Sequence, residues 1–430
     1  MKEKVNSWGL RGNYLHKVCY LFSSDSVDFK EFGFSWLPYG KGRSYGDVCL
    51  NPSNTLVNTD HLDSFISFDP KDGTFECESG VTLKSIQNYT QEFSYLLPVS
   101  PGSEMISLGG AIANDVHGKN HHVAGSFGNH ILSFSLLRST GKIIECSRYK
   151  NSRWFYSTIG GFGMTGLILK AKIRLKKVPS LFLKVENVPF KTLEDFFRLA
   201  DSSEKKYEYT VAWVDCTSEE SRGIFMRANY CKNIQPTFKK KDSIHIPNFF
   251  SFSIVNRFTL KIFNALYFMA NKNKGSYINN YKDFFYPLDR IDNWNILYGP
   301  KGFLQYQCVL PYEHRIQGAQ LIYDTIRRYK AGSFLSVIKT FGAIKPLGMM
   351  SFPMRGVTVA LDFVGINSKN KSLFVELDSI VRSFNGRIYL AKDCTMSKSF
   401  FQKSYPMLTS FMKYCDPNIN SSLSRRLLNL

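Results

Sequence analysis

Three glycine-rich segments and the basic residues beside them hold the chemical potential of this sequence. Tyr39-Gly-Lys-Gly-Arg-Ser-Tyr-Gly-Asp47 places glycines at 40, 42 and 46. Without Cβ atoms the backbone there can turn its amides inward around an anion, and Arg43 and Ser44 add side-chain donors. Pro101-Gly-Ser103 precedes Leu108-Gly-Gly-Ala-Ile-Ala-Asn-Asp-Val-His-Gly-Lys-Asn-His-His122 and Gly125-Ser-Phe-Gly-Asn129, whose small residues admit a large flat ligand. The third segment, Gly160-Gly-Phe-Gly-Met-Thr-Gly166, formally contains G-x-G-x-x-G. A dinucleotide fingerprint follows a strand and opens a helix. Here a helix-like Ser152-Arg-Trp-Phe-Tyr156 precedes the glycines and a strand follows, so that reading is rejected. Any one segment alone reads best as a structural turn. Three in this order, before one domain break, are harder to dismiss.

Other residues are suggestive on their own. Lys339 interrupts the apolar run Ser336-Val-Ile-Lys-Thr-Phe341, which suggests a lysine facing a pocket, although half of an alternating strand ordinarily faces solvent. His117 and His121 are four apart, but Gly118 and Asn120 argue for a loop. No carboxylate or cysteine completes a ligand set with His122 and His130, so no metal is expected.

The elements that would position these residues fall into blocks. Residues 30–175 read as short strands and loops, with strand-like runs at Asn54–Asn58, Phe65–Phe68 and Thr74–Glu78 and a helix over Leu83–Phe93. Leu167–Lys176 half-alternates as a strand, and Pro179 closes the block. Residues 180–385 mix helices at Leu193–Ala200 and His314–Tyr329 with strands at Phe303–Leu310, Phe334–Lys339 and Val357–Phe363. A strand-like Arg387–Lys392 and a short helical tail follow. No internal repeat is visible.

The 430 residues are 43% hydrophobic and 21% charged, which excludes a disordered chain. The net charge of +20 asks for an anionic partner: nucleic acid, a phosphorylated ligand or a membrane surface. Residues 231–275 hold eight Lys/Arg against one Asp. Within them, 246–270 is rich in Phe, Leu, Ile and Tyr yet carries Arg257 and Lys261. That is too charged to span a bilayer and suits an interfacial segment, or else a surface helix beside a solvated basic loop. Nine cysteines without C-x-x-C read as free thiols in a reducing compartment. No secretory signal or spanning segment is visible. These features point to a cytoplasmic protein, peripheral on the inner face of a membrane if the basic segment binds one.

The order and wording of the segments resemble the FAD-linked oxidases of the vanillyl-alcohol oxidase type. Within them, the sequence is most similar to the subgroup that oxidises decaprenylphosphoryl-β-D-ribose as half of a 2′-epimerisation. The resemblance rests on Gly42–Asp47, Gly109–Ala113, His117-Gly-Lys-Asn-His-His122, Ala124–His130, Trp294-Asn, Tyr298-Gly-Pro, Gly302-Phe-Leu-Gln-Tyr-Gln307, Ser351-Phe-Pro and Ala391-Lys-Asp393. It runs from about residue 40 to the end.

The resemblance implies an α+β fold. A two-part FAD-binding domain would comprise residues 1–178 and 389–430, around a central substrate domain, 179–388, built on an antiparallel sheet. It implies non-covalent FAD held by Gly40, Lys41, Gly42, Arg43, Ser44, Tyr45, Pro101, Gly102, Ser103, Gly109, Gly110, Ala113, Asn114, His117, Gly118, Ile168 and Tyr389. It further implies oxidation of a secondary sugar hydroxyl: a base takes the proton while hydride leaves carbon. Lys392, placed by a strand Tyr389-Leu-Ala-Lys392, matches the family's active-site lysine. His117, Tyr45, Gln307 and Lys339 match other pocket residues. The implied substrate is a lipid-linked sugar phosphate, and the implied partner a short-chain reductase.

Two positions depart from the family pattern. Ala360 replaces a cysteine that covalent nitro-aromatic inhibitors attack, so activity without that trapping route is expected. Phe285 stands where relatives have Tyr, with Tyr286 beside it, which puts a pocket hydrogen bond in doubt. A soluble alditol or aldonolactone oxidase is the rival enzyme reading. A nucleic-acid-binding protein is the rival outside enzymes, but it leaves the glycine segments unexplained and shows no recognition motif.

Overall fold

The computed structural model describes the chain except residues 1, 10–13, 25, 26, 28, 30, 31, 233–242, 247–251, 366, 429 and 430. The architecture is α+β. Near the N-terminus a four-stranded sheet runs in the order Lys2–Lys4, Leu15–Tyr20, Thr55–Asn58, Trp36–Tyr39. Its last three strands are parallel. A five-stranded antiparallel sheet follows, in the order Phe65–Asp69, Thr74–Glu78, Leu167–Arg174, Ile131–Leu137, Ile143–Ser147. Helices Leu83–Thr90, Leu108–Ala113 and Ser152–Thr158 share its apolar core.

The central sheet has eight antiparallel strands: Ser276–Asn280, Phe182–Phe190, Gly223–Tyr230, Tyr209–Val214, Ser336–Phe341, Gly356–Val364, Phe303–Pro311 and Arg387–Ile388. Side chains alternate between the two faces of a strand, and the sheet uses this fully. Tyr306, Cys308, Val359, Leu361, Phe363 and Ile338 join a core with helices Leu193–Ser203, Arg315–Arg328 and Ser368–Ser383. The intervening residues Gln305, Gln307, Thr358, Ala360, Val337 and Lys339 line a cavity on the other face. Register fixes them together: Gln305 faces Asp362, Gln307 faces Ala360, and Lys339 faces Thr358.

The C-terminal segment returns to the first sheet. Trp36 donates its amide to Asn418 and accepts from Asn420, both at 3.0 Å. Phe400, Phe401, Tyr405, Ile419 and Leu423 share a core with Trp36, Leu37 and Leu56.

Helix Ser152–Thr158 precedes the third glycine segment and strand Leu167–Arg174 follows it. That is the reverse of the dinucleotide arrangement, as the sequence indicated. One expectation needs correction. The strand expected to carry Lys392 ends at Ile388, and Tyr389–Lys392 is a turn closed by the Lys392 amide on the Tyr389 carbonyl at 3.0 Å. The alternative pull comes from a distant segment: Tyr45 donates its amide to Ala391 at 3.0 Å, so this stretch bonds to the first glycine loop instead of extending the sheet. In the basic segment, residues 233–242 and 247–251 lie outside the described residues, and Arg257–Lys272 forms a helix. No helix among the described residues is long and apolar enough to cross a membrane.

Candidate active site

A cavity of about 900 Å³ runs between the glycine segments and the open face of the central sheet. Every candidate residue named from the sequence lines it, from Gly40 to Lys392. One end is built by the loops. At Gly42 the backbone has φ +60°, and a Cβ would sit 2.0 Å from the Tyr39 hydroxyl. At Gly40 a Cβ would sit 2.3 Å from Ser107 Oγ. The left-handed backbone at Gly42 favours glycine, and a side chain at either position would have to displace Tyr39 or Ser107. Lys41 turns its ammonium out to Asp60 at 2.9 Å, leaving its backbone at the cavity. Arg43 stacks its guanidinium 4.0 Å above the Trp8 ring.

The other end is polar and lies on the sheet. Gln307 Nε2 approaches His117 Nε2 at 3.0 Å and donates to Thr358 Oγ1 at 3.3 Å. Lys339 Nζ lies 2.8 Å from His117 Nδ1 and donates to the Gly118 carbonyl at 2.8 Å. Phe341, Phe352 and Tyr389 surround the imidazole, and Tyr389 donates its hydroxyl to the Asn114 carbonyl at 2.9 Å. Burial first, then the charge of Lys339, holds the His117 pKa well below its usual value. Burial also lowers Lys339 to about 7, helped by the charge of Lys119. The bonding pattern fits a neutral pair. Gln307 uses both amide protons on His117 Nε2 and Thr358, so His117 Nδ1–H donates to the Lys339 amine.

Lys392 sits with Nζ 3.2 Å from the centre of the Tyr45 ring. Burial lowers its pKa, and the charge of Asp362 works against that shift. Burial raises the Tyr45 phenol well above its usual range, so Tyr45 stays protonated. Phe285 lines the cavity without a donor. Tyr286 cannot substitute for it, because its hydroxyl is buried and accepts from Gln87 Nε2 at 2.8 Å. Ala360 offers the cavity a methyl group opposite Gln307.

The four histidines of the second segment do not converge. His122 Nε2 bonds the Tyr207 carbonyl and His130 Nε2 the Ala124 carbonyl, each at 2.8 Å, while His121 packs on Phe341. Lys119 and Gln305 are among the polar residues of this site that escaped the sequence reading. Lys119 lies inside the quoted His117–His122 motif and binds the Phe284 carbonyl. Gln305 is two residues before Gln307, so strand alternation alone puts it on the same face.

Residues 27–147 match the FAD binding domain family. The decaprenylphosphoryl-beta-D-ribose oxidase of Mycolicibacterium smegmatis is 32% identical over 417 residues, covering 93% of this chain and 90% of that protein. The chain belongs to the FAD-linked oxidase family that includes it. More distant relatives agree in part. A Streptomyces coelicolor protein described as "Uncharacterized protein in mprA 5'region" is 25% identical, covering 81% of this chain and all of that one. The D-lactate dehydrogenase of Archaeoglobus fulgidus is 32% identical over 125 residues, 28% of each chain.

As an FAD-linked oxidase the chain is an FAD-dependent oxidoreductase acting on a CH–OH group. The cavity fits that cofactor on its own evidence. A Cβ at Gly40 or Gly42 would press on the Ser107 or Tyr39 side chain. Ser79 Oγ and Asn114 Oδ1, on residues that line the cavity, are buried with no protein partner. Such orphaned atoms are what a polar ligand would satisfy.

Proposed function

We propose that this oxidase acts on a secondary hydroxyl of a polyprenyl-phosphate-linked pentose of the ribose class, giving the keto sugar. A separate short-chain reductase would then reduce the product and complete an epimerisation. The observation that carries this reading is the 32% identity to the ribose oxidase over nearly both chains, joined to the polar cluster on the sheet face. We assign the FAD-binding domain to residues 1–178 and 389–430, and the substrate domain to 179–388. The return of the tail to the first sheet supports that division. Gly40–Tyr45, Pro101–Ser103, Gly109–Asn114, Gly118, Ile168 and Tyr389 would hold FAD.

Bound FAD supplies the hydride acceptor for the C–H bond being broken. The residues around it divide the proton and charge work. The His117–Lys339 pair takes up the hydroxyl proton, which suits an amine with a pKa of about 7. Lys392, as a cation, stabilises negative charge that develops at the reacting centre or on a substrate phosphate. Gln307 and Tyr45 orient the sugar, and Phe285 contributes an apolar wall.

A membrane surface fits the substrate's lipid tail. Helix Arg257–Lys272 borders the cavity through Tyr267 and Asn271. It turns Phe258, Leu266 and Met269 outward at 73%, 62% and 62% exposure, beside exposed Arg257, Lys261 and Lys272. We read this as a peripheral contact with anionic lipid.

The test is anaerobic reduction of the bound flavin. Polyprenylphosphoryl ribose should bleach its visible absorbance, while free alditols and aldonolactones should not. Bleaching by the free sugars alone would replace this reading with that of a soluble alditol or aldonolactone oxidase.

A further inference from the structure

The open face of the central sheet changes character along one cross-strand row. Register sets Gln307 opposite Ala360, Ala360 opposite Val337, and Val337 opposite Trp213. All four line the cavity. The row starts at the polar cluster on His117 and ends at an indole three strands away, about 14 Å at the usual strand spacing. Val211 widens the apolar end, two residues along the strand from Trp213, and Met226 stands directly opposite Val211 on the next strand. None of these side chains belongs to the core behind the sheet. That core takes the alternate positions, Ala212, Val214, Phe225 and Ile338. Farther on, toward strand Ser276–Asn280, the lining turns polar again at Lys274 and Asn279, so the apolar wing is short.

The wing is roofed. Val211 and Trp213 are buried although they face the cavity, because helix Arg257–Lys272 lies above them. Tyr267 of that helix lines the cavity and packs its ring 4.6 Å from the Trp213 ring. The indole N–H of Trp213 donates to the Phe334 carbonyl at 3.0 Å. That uses the one donor of the side chain and leaves its ring as a hydrocarbon wall. The aromatic rings then continue outward. Phe263 lies 5.9 Å from Tyr267 and 4.8 Å from Phe334, and it is 41% exposed. A sugar laid against this wing would lose water from its hydroxyls and find few partners. An isoprenoid chain has no hydrogen-bonding groups to strip and gains by burial.

We propose that this wing, Val337, Val211, Trp213 and Met226 under Tyr267, holds the first isoprene units of the substrate and leads the chain out beside helix Arg257–Lys272. The proposal rests on the reading that the substrate is a polyprenyl-phosphate-linked sugar, and it locates the lipid part of that recognition inside the cavity. The sugar takes the polar end of the row, at Gln307 and His117. The chain takes the apolar end and emerges near the face of the helix that carries Phe258, Leu266 and Met269.

The test uses the flavin-loaded enzyme, without vesicles, and two series of ligands. Phosphoryl ribose carrying one, two or three isoprene units is titrated by anaerobic flavin reduction. The matching prenyl phosphates, which carry no sugar, are titrated by calorimetry. In the unaltered protein the half-saturating concentration in each series should fall about tenfold or more from one unit to three, as expected for burial of several apolar carbons. The limiting rate of reduction should change little with chain length. Trp213→Ala should remove most of that gain. Met226→Gln keeps the length of a half-buried side chain and makes its end polar. It should reduce the gain as well, which keeps the test alive if Trp213→Ala does not fold. No dependence on chain length in the unaltered protein, or the same dependence in both variants, would overturn the proposal. Prenyl phosphates that bind with the expected dependence, in an enzyme whose flavin no prenylphosphoryl ribose reduces, would instead overturn the pentose reading and leave the wing its occupant.

Discussion

At the scale of single residues, three buried amines face one cavity: Lys119, Lys339 and Lys392. Their surroundings differ, and so should their work. Lys119 and Lys339 are both lowered to about 7 by burial, and among the described residues no carboxylate forms an ion pair with either. Lys392 is lowered by burial to about 7 as well, and there the charge of Asp362 opposes the shift. A base must be neutral to accept a proton. Because the Lys339 pKa is lowered, its neutral fraction grows as pH rises through about 7, and flavin reduction should rise over that window. Lys339→Met should remove this acid limb and slow reduction by about a hundredfold or more, the usual worth of a positioned proton acceptor, with FAD still bound. A pH series of stopped-flow flavin reduction reads both effects. A variant that keeps the limb would transfer the role away from Lys339.

At the scale of elements, the open question is what the outer face of helix Arg257–Lys272 meets. Leu260 and Asn264 turn inward, and Asn264 bonds Asp215 at 3.0 Å. The Asn256 side chain caps the helix through the Phe258 and Thr259 amides, so its outward face is presented by a well-anchored element. Replacing Phe258, Leu266 and Met269 together by Ser removes apolar area without touching charge. Co-sedimentation with anionic vesicles should then weaken about tenfold or more. High salt should weaken binding of the unaltered protein through its Lys and Arg contacts. Unchanged sedimentation of the triple variant would discard this face. Elements also mark how far the sequence could be read. The glycine loops were legible because a tight path beside a ligand needs glycine locally. Lys339 was legible because a lone cation interrupts an apolar run. Asp362 was not: Val357-Thr-Val-Ala-Leu-Asp-Phe363 reads the same whether its polar positions face water or a cavity. Only the neighbouring strands, brought in from residues 303–311 and 336–341, decide between them. Lys392 was found by its motif, yet its strand was misread, because the bond that turns it comes from Tyr45, far away in sequence.

At the scale of the molecule, the two ends of the chain meet at the cavity. The backbone of the first glycine loop joins the Lys392 turn twice, through Tyr45 to Ala391 and Asp47 to Asp393. Gly46 permits this closeness, since a Cβ there would lie 1.8 Å from the Asp393 carbonyl oxygen. Arg426, on the terminal helix Ser422–Leu427, locks the arrangement. It donates to both Asp47 oxygens at 2.9 and 3.0 Å, to Asp393 at 2.9 Å and to the Met396 carbonyl at 2.7 Å. The two carboxylates are largely buried, so removing Arg426 would leave two like charges without their counter-ion. Arg426→Ala should cost about 3 kcal/mol of stability, at the low end for a broken buried pair because the guanidinium is partly exposed. The effect should not be uniform. The loop that would hold FAD and the turn that carries Lys392 share this lock, so flavin should dissociate at a lower temperature than the one at which the central sheet melts. Flavin fluorescence and far-ultraviolet circular dichroism, followed in one heating series, separate the two events. If flavin release and unfolding stay coincident in Arg426→Ala, at the temperature of the unaltered protein, the C-terminal helix has no part in holding the site together.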